Sequence, residues 1–382
     1  MDFIPYGRQS IDRDDEAAVL DALRSPLLTT GPRVAQFEQD MCQYLGVPFA
    51  VAVSNGTAAL HCAVHAAGIG KGDEVILSPL TFAASANCVL YLGATPVFAD
   101  VLADTLLIAP VDVEKKITSR TRAIIAVDYA GQPCDYTALR ELCNRYHLVL
   151  IADCAHSLGA TYGDRSCAFH ADLATYSFHP VKHITSGEGG LVTTHRKEWA
   201  DAMRRFRNHG IDADHAQRSR EGTWRYTMKT LGYNYRITDI QCALASSQLK
   251  KIDGWLERRQ QIAKQYDAAF AGDHRLDPLY VHENRTHAYH LYVLRLAEQY
   301  GANARQQLFD FLRSRRIGVN VHYIPVYQHD YYVQHHNGGY VHCPNTESAC
   351  ERIMSLPMFN SLSDDAVARV IAAVQQGLSD LP

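Results

Sequence analysis

Two rhythms of apolar residues run along this chain of 382 residues. Short, almost wholly apolar runs recur in its first half: "FAVAV", "DEVILSP", "TPVFADV", "TRAIIAVDYAG", "LVLIADCAHSLG" and "ADLATYSFH". Each has the length of a strand and ends in small or polar residues. Between several of them the spacing turns helical, as in "TAALHCAVHAAG" and "FAASANCVLYLGA". Two more helices are predicted upstream, one over residues 12–24 and one through "AQFEQDMCQYLG", stopped by Gly46. Apolar strands alternating with helices predict an α/β fold on a mostly parallel sheet, covered on both faces. In open sheets of that kind, ligands sit at the carboxyl ends of the strands. Ser54, Asn55, Thr81, Asp128, Asp153, His156 and Ser177 all fall at such ends.

The C-terminal part reads differently. "TDIQCALASSQLKKIDGWLERRQQIAKQYDAAF" is one long helical run, with a bend expected near Gly254. A domain boundary near residue 255 follows, giving a large α/β domain over 1–255 with an N-terminal arm. Residues 256–382 then form a smaller α+β domain. Its strands are expected at "HAYHLYVLRL" and "IGVNVHYIPVY", its helices at "ARQQLFDFLRSRR" and "DDAVARVIAAVQQGL".

Composition narrows the classes. A net charge of −4 with 47% hydrophobic residues argues against a nucleic-acid or membrane surface. No apolar run reaches the roughly 18–20 residues that span a bilayer. The start "MDFIPYGRQSIDRDDEAAVL" lacks a basic n-region and an apolar h-region, so no signal peptide is expected. Ten cysteines without a CxxC pair predict a reduced, cytoplasmic protein. His61 and His65 lie one helical turn apart, but no glutamate follows His61, so no metal is expected there.

The candidate chemistry centres on "YSFHPVKHITSGEGG", which sets the single lysine Lys182 between an apolar strand and a glycine turn. A lysine in a desolvated pocket has a lowered pKa and can react with a carbonyl. Read alone, it fits a surface loop equally well. Asp153 ends the apolar run "LVLIAD", where a buried carboxylate calls for a cationic or strongly donating partner. The other reading of Asp153 is a structural cap for "CAHSLG". The turn "SNGTAAL" offers the backbone amides of a helix start and the Thr57 hydroxyl, an anion site, or simply a helix capped by Ser54 or Asn55. The "GIGKGDEV" glycines follow a helix and precede a strand, the wrong order for a dinucleotide fingerprint. A carbonyl-reactive lysine, a phosphate cradle and a carboxylate for a ring nitrogen together match what a protein supplies to pyridoxal 5′-phosphate (PLP).

With these residues in place, the chain resembles the DegT/DnrJ/EryC1/StrS nucleotide-sugar aminotransferases. The resemblance runs nearly end to end through "TTGP", "VSNGTAAL", "SPLTFAASAN", "VDYAGQPCD", "IADCAHSLGA", "SFHPVKHITSGEGG", "LGYNYRITDIQCALASSQL" and "VHYIPVY". It implies the fold type I PLP-dependent transferase architecture, like aspartate aminotransferase. It implies that Lys182 forms the Schiff base and acts as general base, and that Asp153 pairs with the pyridinium nitrogen. His156 then lies by the ring, Phe82 stacks on it, and Gly56, Thr57 and Ser177 hold its phosphate. Asn234 would reach the phosphate of a neighbouring subunit, which implies a homodimer with shared sites. A subgroup that aminates C4 of a UDP-linked 4-keto-6-deoxy-2-acetamido hexose from L-glutamate, for pseudaminic acid, is similar in "IPYGRQSI", "SPLTFAASANC" and "LGYNYRITDIQCAL". It implies substrate contacts at Tyr6, Thr29, His322 and Tyr323. Arg225 stands where relatives often carry tyrosine. Arg236 is a candidate for the glutamate α-carboxylate or for a structural ion pair. His179 and His183 receive no role.

Overall fold

The computed structural model describes residues 2–212, 222–336 and 341–381. Seven strands form the central sheet: β1 (Phe49–Val53), β2 (Glu74–Leu77), β3 (Thr95–Phe98), β4 (Thr121–Val127), β5 (Val149–Asp153), β6 (Leu173–Ser177) and β7 (Gly190–Thr194). Their order is β1-β7-β6-β5-β4-β2-β3. β7 runs antiparallel to both neighbours, and the remaining pairs are parallel.

The period of two sorts these strands between two cores. Ala50, Ala52, Ile76 and Ile124 join one buried cluster, while Val51, Val53, Val75, Leu77 and Ile125 join another on the opposite face. Helices cover both faces, which is why the strands can be apolar throughout. The helix Arg13–Arg24 is capped by the Asp12 side chain, and Pro32–Leu45 ends on Gly46 at φ 69°. A β-carbon is strained in that left-handed conformation.

A third core belongs to the C-terminal part. It packs Ile262, Tyr266 and Phe270 against the helices Ala302–Ser314 and Asp364–Ser379 and the antiparallel pair β8 (Tyr292–Arg295) and β9 (Ile353–Leu356). Ile4 of the N-terminal arm joins this core. Residue 255 lies inside the helix Ile252–Phe270. Ile252 and Leu256 bury in the large core and Ile262 onward in the small one, so this helix carries the chain between them.

Two details depart from the sequence pattern. The long helical run breaks between Asp239–Leu249 and Ile252–Phe270, ahead of Gly254, which sits within a helix. "IGVNVHYIPVY" is not a strand: Ile317 and Asn320 make isolated bridges to Ile4 and Ser355. Its backbone pairs piecemeal, with Ile4, Ser355 and Pro79, and side chains take two further groups. Asn320 Oδ1 accepts from the Val321 amide at 2.9 Å, and Tyr129 Oη donates to the His322 carbonyl at 2.5 Å.

Candidate active site

The ends of β1, β5 and β6 meet at one edge of the sheet. Asp153 is the last residue of β5 and pairs in register with Thr175 of β6, and Ser177 ends β6 opposite Gly190 of β7. Val53 of β1 also faces Gly190, so the "SNGT" turn lies beside Ser177. A cleft of about 850 Å³ opens over these ends. Tyr6, Gly56, Thr57, Phe82, Asp153, His156, Ser177, Lys182, His322 and Tyr323 line it, ten positions drawn from both halves of the chain. Thr29 and Asn234 do not. Both are exposed outside the cleft; Thr29 bridges Thr238 and Asn234 bridges Asn208.

Gly56 opens the helix Gly56–Ala66 and nearly touches Ser177. A β-carbon on Gly56 would lie 2.8 Å from Ser177 Cβ and 3.1 Å from its Oγ. Asn55 Oδ1 accepts the Ala58 amide at 2.8 Å and caps the helix. The amides of Gly56 and Thr57 have no acceptor within the helix, as at any helix start. The capping and anion-binding readings of this turn therefore coexist.

Lys182 is half-buried and still opens on the cleft. Desolvation pulls its ammonium down to about 8, against the opposing pull of Asp153. About a tenth of such a group is neutral at pH 7. Asp153 is buried, and burial pushes its carboxyl above the usual range while Ser85, the Ala155 amide and Lys182 resist. Its oxygens accept from Ser85 Oγ at 2.7 Å and from the Ala155 amide at 3.2 Å. A carboxylate so enclosed has room for a cationic partner.

Above these groups, Phe82 is 63% exposed, its ring centroid 6.3 Å from that of Tyr323. Tyr323 Oη shares a hydrogen bond with His156 Nε2 at 3.0 Å. The His156 ring packs 4.3 Å from His290, and burial holds both well below the usual histidine range, so both rings are neutral. Asn320 Nδ2 lies 3.3 Å from His322 Nε2, and His322 Nδ1 lies 2.8 Å from Ser355 Oγ. Burial, then Lys182, lowers His322 to about 4. Tyr6 reaches the cleft from the arm, its ring 5.5 Å from His322.

Several sequence candidates lie elsewhere or take other parts. Asp128 is buried beneath the cleft and does not line it. Arg236 Nη1 donates to Asn208 Oδ1 at 2.8 Å, outside the cleft. Arg225 lies over the exposed ring of Trp224. His183 Nε2 donates to the Ala288 carbonyl at 3.0 Å, a packing role, while His179 stands at the cleft rim. His61 Nδ1 hydrogen-bonds Tyr235 Oη at 3.1 Å within a nest of aromatic rings. No sequence pattern points to His290 or Asn320. Ser85 lies within "SPLTFAASAN", a run that by itself assigns it no role.

The comparisons with known proteins agree with this geometry. Residues 9–375 match the DegT/DnrJ/EryC1/StrS aminotransferase family. The spore coat polysaccharide biosynthesis protein SpsC of Bacillus subtilis is 39% identical over 98% of this chain and 96% of its own. Helicobacter pylori PseC, an aminotransferase involved in pseudaminic acid biosynthesis, is 31% identical and superposes with a TM-score of 0.92, covering 99% of this chain and 100% of its own. Spr1654 of Streptococcus pneumoniae, solved in a PMP form, is 31% identical with a TM-score of 0.92, over 98% of this chain and 99% of its own. It has also been solved in a PLP form. The present residues fit that cofactor: a glycine cradle that a methyl group would fill, a lysine with a depressed pKa, and a buried carboxylate short of donors.

Proposed function

The chain belongs to the DegT/DnrJ/EryC1/StrS aminotransferase family and is a PLP-dependent sugar aminotransferase; from that premise we propose its substrate and the division of labour in its site. The acceptor is a UDP-linked 4-keto-6-deoxy-2-acetamido hexose and the donor is L-glutamate. The product is UDP-4-amino-4,6-dideoxy-N-acetyl-β-L-altrosamine, for pseudaminic acid. The likeness to PseC over the whole chain supports this choice. The observation that carries the chemistry is the meeting of Lys182 with Asp153 and the Gly56–Ser177 cradle in one cleft.

PLP supplies the electron sink through which an amine and a carbonyl exchange nitrogen. The chain supplies the rest. Gly56, Thr57 and Ser177 hold the phosphate at a helix N-terminus. Asp153 holds the proton on the ring nitrogen. Lys182 Nζ anchors the cofactor and carries the proton to and from the substrate carbon, which its lowered pKa permits. Phe82 would cover one face of the bound ring, and His156, held by Tyr323, would lie beside it. Tyr6, His322 and Tyr323 orient the sugar and exclude water from the reacting carbon.

Lys182 is the one lysine or arginine lining the cleft among the described residues. The anionic groups of both substrates then need further hydrogen-bond donors from outside, and a second copy of the chain supplies them. Trp224 is 81% exposed and Leu231 76%, ten and three residues ahead of Asn234 in sequence. We assign this surface to a homodimer in which Asn234 and Thr29 complete the partner's site, in the cytoplasm where sugar nucleotides are made.

A second reading has its own support. The 39% identity to a protein of spore coat polysaccharide biosynthesis keeps a second acceptor in play, another NDP-4-keto-6-deoxy sugar such as the D-gluco epimer or a GDP sugar. One experiment separates the two. Purified protein with L-glutamate is offered each C5-epimeric UDP-4-keto sugar, and products are identified by mass spectrometry and NMR. 2-Oxoglutarate and the L-altro product are expected. Preference for the D-epimer would overturn the pseudaminic assignment, and no 2-oxoglutarate with any keto sugar would overturn the substrate reading entirely.

A further inference from the structure

The loop from β2 into the helix Ala84–Leu90 does two things at once. It presents Phe82 to the cleft, and it buries two hydroxyls, Thr81 and Ser85, below that ring. Ser85 Oγ donates to Asp153 Oδ2 at 2.7 Å. The single serine proton is thereby used, so Thr81 Oγ1, 2.8 Å from Ser85 Oγ, must be the donor of that second bond. The remaining donor to Asp153 is the Ala155 amide at a longer 3.2 Å. Ser85 is therefore the only side chain that hydrogen-bonds Asp153 among the described residues.

We infer that Ser85, backed by Thr81, is a positioning residue that holds the Asp153 carboxylate ionised and turned toward the ring nitrogen of the cofactor. The inference rests on the reading that Asp153 pairs with that nitrogen. A carboxylate in this enclosure that loses its best donor either takes a proton or rotates toward another donor. A neutral or rotated carboxyl no longer favours a protonated ring nitrogen. Thr81 acts one bond further out. By orienting the serine lone pairs, it leaves the serine proton nowhere to go but Asp153. The i, i+4 spacing of the two hydroxyls around Phe82 places ring contact and carboxylate control on one short loop.

The test uses the full chain, stripped of cofactor and titrated with PLP or with 1-deazapyridoxal phosphate, which has carbon in place of the ring nitrogen. Wild type prefers PLP. Ser85→Ala is expected to bind PLP about tenfold more weakly, the range of one hydrogen bond to a charged group, and the deaza cofactor less than about twofold more weakly. Its kcat falls by a similar factor while KM for L-glutamate holds. Thr81→Val gives a milder reading of the same ratio, about threefold, should Ser85→Ala fail to fold. Equal losses with both cofactors, or no loss with either, would overturn the inference. A wild type that binds the two cofactors equally would sink the Asp153 reading itself, an outcome distinct from a Ser85 failure.

Discussion

Asp128 and Asp153 stand at the carboxyl ends of adjacent parallel strands, and both are buried. Burial pushes both carboxyls above their usual range. What answers that push differs. Asp128 accepts from the Cys134 amide at 2.8 Å, from Tyr136 Oη at 2.9 Å and from Ser157 Oγ at 2.6 Å. Asp153 accepts one serine and one distant amide, and faces the cleft beside Lys182. The saturated carboxylate is a structural post; the one left short of donors is the one able to receive a cation.

The largest effects should come from exchanging each aspartate for asparagine. Asp153→Asn is expected to lower kcat by about 10²-fold or more, because an amide cannot hold a ring proton. Its unfolding free energy should change little. Asp128→Asn should leave kcat within a few-fold and cost about 2–4 kcal/mol of stability, since an amide N–H₂ would meet donors. Steady-state kinetics and denaturant unfolding on both variants check this. A catalytic loss in Asp128→Asn comparable to that in Asp153→Asn would erase the distinction.

The sequence carried the frame of this site but not the distinction. Apolar runs predicted the strands, and their ends picked out Asn55, Asp153 and Ser177 because local pattern determines where strands stop, while Gly56 came from the family resemblance. "IIAVD" and "VLIAD" are nearly the same string, however, and both place an aspartate at a strand end. Cys134 and Tyr136 lie close behind Asp128 in sequence, but the serine that answers each carboxylate comes from farther away. Ser85 lies 68 residues from Asp153, and Ser157 29 from Asp128. No local pattern encodes such meetings. The same limit hid His290, which reaches His156 from the far side of the chain. Thr29 and Asn234, expected from the resemblance alone, lie exposed outside the cleft and bridge Thr238 and Asn208. The failed strand "IGVNVHYIPVY" has the right apolar rhythm, but it meets Ile4 and Ser355 only at single bridges, and Asn320 and Tyr129 take the Val321 amide and the His322 carbonyl.

The charge of Asp153 also leaves a mark on Lys182. With that lysine at about 8, the neutral form that reacts with a carbonyl grows with pH and levels off above it. Uptake of PLP by the stripped protein should therefore run about tenfold slower at pH 6 than at pH 7. Asp153 favours the charged lysine, so Asp153→Asn should move the midpoint to lower pH, and Asp128→Asn should not. Stopped-flow absorbance across pH 6–10 measures both. A midpoint that moves in Asp128→Asn alone would reverse the two roles. Gly56→Ala sharpens the contrast from the other end of the cleft. Its methyl would sit 2.8 Å from Ser177 Cβ, so PLP affinity should fall about tenfold by equilibrium titration. The pH midpoint should stay, because neither aspartate is touched.

The smallest effect is the most discriminating, because the two aspartates have matching serines. Ser157 Oγ donates to Asp128 Oδ2 at 2.6 Å, as Ser85 Oγ donates to Asp153 Oδ2 at 2.7 Å. Ser157→Ala removes one donor from a carboxylate that keeps a tyrosine hydroxyl and an amide. The loss should be about 1.5 kcal/mol, toward the lower end for a hydrogen bond to a charged group. Nothing in the cleft moves, so kcat, PLP affinity and the pH midpoint should match wild type. Ser85→Ala deletes the same atom from the same kind of bond and should spare stability while weakening the cofactor. Thermal unfolding and PLP titration on the pair would show whether cleft access or hydrogen-bond loss governs the outcome. If Ser157→Ala also weakened PLP binding, the two carboxylates would be coupled through the sheet, and the division between post and site would fall.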